Sequence, residues 1–162
     1  MPRVSAGLLC YRRGAAGLEL LVAHPGGPMW ARRDAGAWTI PKGLADDGED
    51  DLLAVARREF HEETGHETPG GPLIDLGEVR LRSGKVVRAW AVEGDVDPDS
   101  ATSNIVEMEW PPRSGRVIRV PEVDRVAWLT PGAARAALNP AQAELVDRLL
   151  AALDAGPEAG AS

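Results

Sequence analysis

The stretch Trp38–His66, WTIPKGLADDGEDDLLAVARREFHEETGH, carries the densest run of ionisable side chains in the 162-residue chain. Within it, Asp51 to Thr64 has the pattern of a helix. Leu52, Leu53, Ala56, Phe60 and Thr64 fall on one stripe at helical spacing, and Gly65 supplies a C-terminal stop. The stripe should face a core. At about 100° per residue, Glu59 and Glu63 project from its edge and Glu62 lies beside them, so three carboxylates crowd one flank. Like charges one turn apart repel, and more so as they approach a low-dielectric core. A positive group is wanted there: Arg57, Arg58 or a hard divalent cation. Oxygen ligands with room for water suit magnesium or manganese better than zinc. The alternative is a solvated acidic face, the usual fate of a charge run.

The wider pattern favours the cation. Gly43, five residues, Glu49, then Arg58-Glu59-Phe60-His61-Glu62-Glu63-Thr64-Gly65 resembles the Nudix box, the signature of the Nudix hydrolases. Two departures stand out. Eight residues separate Glu49 from Arg58, one more than in the family's pattern, so either Glu49 or Asp50 fills the first acidic position. His66 stands where the family usually has an apolar residue. Resemblance to a bacterial Nudix subgroup extends along the chain through Ser5-Ala6-Gly7, His24-Pro25-Gly26-Gly27-Pro28, Pro41-Lys42-Gly43 and Glu109-Trp110-Pro111-Pro112-Arg113-Ser114-Gly115.

Length and composition fit one domain with a real core, expected over residues 1–155, followed by a small, polar, disordered tail over 156–162. Hydrophobic residues at 44% and charged residues at 27% are ordinary for a globular protein, and no apolar run reaches membrane-spanning length. The N-terminal Met-Pro-Arg-Val has no signal-peptide pattern, so a cytoplasmic protein is the expectation. Cys10 is the single cysteine, which excludes an intramolecular disulfide; its apolar strand setting points to a buried structural thiol. A net charge of −7 argues against stable nucleic-acid binding. Nothing in the sequence reports the oligomeric state.

In chain order, Val4–Tyr11 and Leu18–His24 read as strands joined by the hairpin connection Arg12–Gly17. The Gly- and Pro-rich loop from Pro25 to Ala37 carries Trp30, which is either a stacking platform for a base or a cover for a core edge. His24, at a strand end, is read as packing or capping. Trp38-Thr39-Ile40 is expected to be a short strand running into Pro41-Lys42-Gly43. After the helix, Leu73–Leu76, Val79–Arg82 and Val86–Glu93 read as a meander with turns at Gly77 and Ser83-Gly84. Ile105–Trp110 alternates as a strand, Arg113–Arg116 reads as a flexible basic connection, and Arg125–Leu129 as a final strand. Thr130-Pro131 and Asn139-Pro140 each look like a helix start, the second helix showing the stripe Leu145, Leu149, Ala152 and Leu153. This order predicts an α+β protein. Its match is the Nudix-like fold, a mixed β-sheet sandwiched between α-helices.

The resemblance implies hydrolysis of a nucleoside diphosphate linked to another group, by water attacking phosphorus with Mg2+ or Mn2+ as cofactor. Phosphoryl substitution needs charge neutralised and oxygens positioned, not a covalent nucleophile. Carried onto this chain, Glu59, Glu62 and Glu63 supply metal oxygens and Gly43 a carbonyl, while Glu49 or Asp50 orients Arg58. The general base is Glu59, Glu62 or a carboxylate outside the box. Glu122 is the leading outside candidate, ahead of Glu107 and Glu109. Two basic clusters, Arg80, Arg82, Lys85 and Arg88 and then Arg113, Arg116 and Arg119, suit polyphosphate oxygens or, alternatively, protect strand edges. Trp30, Lys42, Arg82 and Arg113 are the substrate-binding candidates. The expected substrate is a dinucleoside polyphosphate or nucleoside triphosphate. Competing readings are an ADP-ribose or nucleotide-sugar pyrophosphatase and a nucleotide-binding regulatory module with little catalysis. A calcium loop at Asp46–Asp51 lacks EF-hand spacing, and a prenyl diphosphate isomerase would need a reactive cysteine that Cys10 is poorly placed to supply.

Overall fold

Strand β1 (Val4–Gly14) is buried on both faces because alternate side chains feed two different cores. Ala6, Leu8 and Cys10 point to one, with Val55, Ala56 and Phe60; Leu9 and Tyr11 point to the other, with Ala134, Leu138, Leu145 and Leu149. In this computed structural model the backbone is described for residues 4–161 and side chains for 4–154.

The remaining elements are β2 (Gly17–Pro25), β3 (Lys42–Leu44), α1 (Leu52–Thr64), β4 (Leu73–Arg80), β5 (Val86–Glu93), a short 3-10 turn at Pro98–Ser100, β6 (Ile105–Glu109), β7 (Val117–Pro121), β8 (Val123–Leu129), α2 (Pro131–Ala137) and α3 (Ala143–Ala161). The main sheet runs β4-β5-β1-β2-β8, with β3 added to β1. β1 and β5 are parallel and the other pairs antiparallel, which makes the sheet mixed. Helix α1 covers one face and α2 with α3 the other. The α+β sandwich expected from the sequence is the observed architecture.

Several local expectations are corrected. Trp38–Ile40 forms no strand: Trp38 and Thr39 make only isolated bridges, and the strand is β3, on Lys42–Leu44. Its approach to β1 is close, since a Cβ on Gly7 would collide with the Pro41 carbonyl and Lys42. Gly77 is not a turn between two strands. It is a bulge inside the continuous β4, where φ is 77° and Asp75 Oδ1 accepts its N–H at 2.8 Å. Arg148 of α3 clamps the bulge by donating to the Leu76 and Glu78 carbonyls, both at 2.8 Å. The meander ends at β5, whose other neighbour is the distant β1.

A strand missing from the sequence reading is β7, which pairs with β6 in a separate two-stranded arm. Both strands are half-exposed, so their hydrophobic signal is weak. Thr130 caps α2 as expected, accepting from the Ala133 N–H at 3.3 Å. Asn139 does not cap α3; its side chain closes a turn onto the Ala141 N–H, and Gln142 turns inward to accept from the Ile40 N–H at 2.9 Å before the helix begins. Backbone helix continues to Ala161 through most of the segment expected to be a disordered tail, and Ser162 lies outside the described residues. Among the described residues no helix is long and apolar enough to cross a membrane.

Candidate active site

Helix α1 starts where Asp51 accepts from the Ala54 N–H at 3.1 Å and ends where Gly65, at φ 76°, donates to the His61 carbonyl. Those caps set which residues face inward. The buried set is Val55, Ala56, Glu59, Phe60, Glu63 and Thr64, so two carboxylates share a face with a phenylalanine. Glu59 is 7% and Glu63 is 4% exposed.

Gly43 makes room for the first of these. A side chain there would occupy the space of the Glu59 carboxylate, which explains the glycine by steric need rather than by turn geometry. Glu63 Oε1 accepts the Lys42 N–H at 3.2 Å. Strand β3 thus supplies one close wall and one donor.

The third member comes from between β7 and β8. Oxygens of Glu59, Glu63 and Glu122 lie within 4.8 Å of one another. Glu122 also lines, with Lys42, Glu63, Thr39, Pro25 and Val123, a cavity of about 160 Å³. Its backbone is held by the Gly26 N–H, which donates to its carbonyl at 2.9 Å, and its carboxylate accepts from Asn104 Nδ2 at 3.0 Å. Asn104 directly precedes β6, and no local sequence pattern singles it out.

Glu62 stands apart from this group. Its half-exposed side chain lies 3.8 Å from Arg58 Nε. Arg58 in turn donates to Glu49 at 2.7 Å and Glu59 at 3.3 Å. Glu49, and not the exposed Asp50, is therefore the acidic partner of Arg58. Glu49 also accepts the Asp46 N–H at 2.6 Å, which folds the inserted residue into the loop before α1.

Electrostatics follow from this packing. Burial, and then the neighbouring Glu122, push the Glu63 carboxyl up to about 9, against the Lys42 N–H that favours its anion. Burial, and then Glu62, raise Glu59, with Arg58 opposing. The Asp46 N–H, and then Arg58, hold Glu49 below the usual carboxylate range. Burial lowers the Lys42 ammonium, while Glu63 supports its charge. A cluster of hard oxygen donors whose charges repel one another fits a divalent cation of the magnesium or manganese type.

The other substrate candidates are dispersed. Arg82 lies on the exposed β4–β5 turn and Arg113 on the exposed β6–β7 turn, neither in the cavity lining. Arg88 is engaged structurally, 2.7 Å from Asp75 and over the Trp90 ring. Trp30 is half-buried on its loop with Arg33 above it. Trp38 belongs to the core, edge-on to His24, which is itself buried between Asp124 at 2.9 Å and the Arg33 carbonyl at 2.7 Å. The Cys10 thiol is fully buried and raised to about 12 by that burial, in keeping with a structural role. A larger cavity of about 410 Å³, lined by four alanines together with Asp34, Trp38, Arg125 and Leu129, contains none of the clustered glutamates.

Comparison with known proteins bears on this arrangement. The family model described as NUDIX domain matches residues 1–149. Among solved structures, the C. elegans Ap4A hydrolase in a binary complex has a TM-score of 0.63 at 23% identity, over 93% of this chain and 98% of that one. The NUDIX domain of Shewanella oneidensis NrtR complexed with ADP ribose has a TM-score of 0.66 at 14% identity, over 94% and 89%. The E. coli ORF135 protein has a TM-score of 0.55 at 20% identity, over 96% and 95%. No curated protein matched by sequence. At these identities the structural likenesses speak for the fold alone.

Proposed function

The chain belongs to the NUDIX domain family, and from that membership we propose that it is a divalent-metal-dependent hydrolase. It cleaves a phosphoanhydride bond in a nucleoside diphosphate linked to another group, with a dinucleoside polyphosphate or nucleoside triphosphate as substrate. The observation that carries this reading is the cluster of buried Glu59 and Glu63 with partly buried Glu122, their ligand oxygens within 4.8 Å of one another beside a cavity that Lys42 also lines.

Glu59, Glu63 and Glu122 would hold the cation, with the Gly43 carbonyl close by. A bound divalent cation supplies neutralisation of phosphate charge and Lewis acidity towards water. Arg58 fixes Glu59 from one side and Glu49 from the other, so the helix face keeps its shape when the charges change. Glu62, half-exposed and outside the clustered group, would take the proton of the attacking water. Lys42 offers its ammonium to phosphate oxygens in the cavity. Trp30 would stack on a base, and the exposed Arg82 and Arg113 would meet the distal part of a long polyphosphate.

The test is a side-by-side measurement of kcat/KM for diadenosine tetraphosphate, ATP and ADP-ribose with magnesium, at low and raised salt. The polyphosphates should lead, and raised salt should penalise the most charged of them most. A clear preference for ADP-ribose would overturn the substrate assignment. Tight nucleotide binding without turnover of any of the three would favour the regulatory reading.

A further inference from the structure

We propose that Asn104, oriented by Ser103, is a positioning residue that sets the third carboxylate of the acidic cluster; this rests on the metal-binding reading of that cluster. Asn104 lies at the root of the β6–β7 arm, one residue before Ile105, whose partner across the arm is Pro121. Its backbone N–H donates to the Glu62 carbonyl of α1 at 2.8 Å, and its carbonyl accepts the Glu122 N–H at 3.0 Å. Its side-chain Nδ2 donates to Glu122 Oε1 at 3.0 Å. One residue thus ties the helix that carries Glu59 and Glu63 to the segment that carries Glu122.

The amide is held in the required sense. The Ser103 hydroxyl reaches Asn104 Oδ1 at 3.3 Å and the Asn104 carbonyl at 3.0 Å, while its oxygen accepts the Val123 N–H at 2.9 Å. With the amide oxygen turned to Ser103, the amide nitrogen faces Glu122. The residue type also matters. Glu122 is only partly buried and lies beside two other carboxylates, so repulsion favours its rotation out towards water. An amide donor opposes that rotation. Unlike a lysine or arginine, it adds no positive charge to compete with a bound cation.

The experiment measures Mn2+ affinity by electron paramagnetic resonance, without substrate, alongside melting temperature in chelator. The proteins are the wild type, Asn104→Ala, Glu122→Ala, the double variant and Glu63→Gln. Asn104→Ala is expected to weaken Mn2+ binding about tenfold, the scale typical of losing a ligand's hydrogen-bond partner. The double variant should bind no more weakly than Glu122→Ala alone, because Asn104 acts through Glu122. Should Asn104→Ala fail to fold, Ser103→Ala provides the same test with a smaller loss in the same direction.

Unchanged Mn2+ affinity in a folded Asn104→Ala protein with a lowered melting temperature would make Asn104 merely structural and overturn the proposal. Additive losses in the double variant would do the same. If Glu63→Gln binds Mn2+ as well as the wild type does, the metal reading itself falls. Binding lost in Glu63→Gln but kept in Asn104→Ala defeats only the role given to Asn104.

Discussion

Helices α1 and α3 pack against opposite faces of one sheet, yet they treat burial differently. α3 buries Leu145, Val146 and Leu149 and holds half-buried Arg148, which reaches the β4 bulge, in a pair with exposed Glu144, as an amphipathic helix should. α1 buries Glu59 and Glu63 along with Phe60. Removing a carboxylate from water without a full partner destabilises the fold. The contrast separates a helix whose inner face is apolar from one whose inner face packs apolar side chains and buried carboxylates together.

The largest effect expected from that contrast lies on α3. Leu149→Ala should cost about 3–4 kcal/mol of stability by opening a cavity, while kcat/KM of the molecules that remain folded is unchanged. Chemical denaturation with parallel kinetics checks both halves, and a large loss of kcat/KM in the folded fraction would break the division of labour. On α1 the reverse is expected. Glu63→Gln keeps size but removes charge and should lower turnover at least ~100-fold, or about 2.7 kcal/mol of barrier, with the fold retained. Near-normal metal-dependent turnover would falsify the site.

A smaller effect should separate the two arginines of α1. Arg58 contacts Glu49, Glu59 and Glu62, whereas Arg57 is exposed and makes no ion pair among the described residues. Arg58→Ala should lower both turnover and melting temperature, and Arg57→Ala neither. Equal effects would remove the organising role assigned to Arg58. A further expected signal is in pH dependence. Because burial raises Glu63 to about 9 in the folded protein, the fold prefers its neutral form. Its contribution is fully present below the ordinary carboxylate range and is lost as pH rises towards that value. The metal-free protein should therefore melt at progressively lower temperature between about pH 6 and 8. Glu63→Gln or added magnesium should flatten that slope, and a flat profile in the metal-free wild type would contradict the burial of this charge.

The same contrast governs what could be read in advance. The ends of α1 were legible because Asp51, Gly65 and the apolar stripe act within a few residues of one another. The hairpin of β1 and β2 was legible too, since alternation and small turn residues are local signals. Gly77 misled because a positive-φ glycine serves a turn and a bulge equally well, and only the Arg148 clamp from α3 distinguishes them. No local pattern places the Trp38 ring edge-on to His24 inside the core, because His24 and Trp38 meet only through the pairing of their segments.

By itself, the sequence determined the family resemblance, the mixed α+β order and the helix that carries the carboxylates, because capping, periodicity and motif spacing are written in neighbouring residues. Tertiary structure decided which carboxylates meet. It paired Arg58 with Glu49 rather than Asp50, left Glu62 half-exposed outside the cluster, and brought Glu122 to Glu59 and Glu63 with Asn104 behind it. Glu122 is some sixty residues from Glu63 in the chain. Their meeting depends on where α1 packs and where the β6–β7 arm returns, and no local preference encodes either.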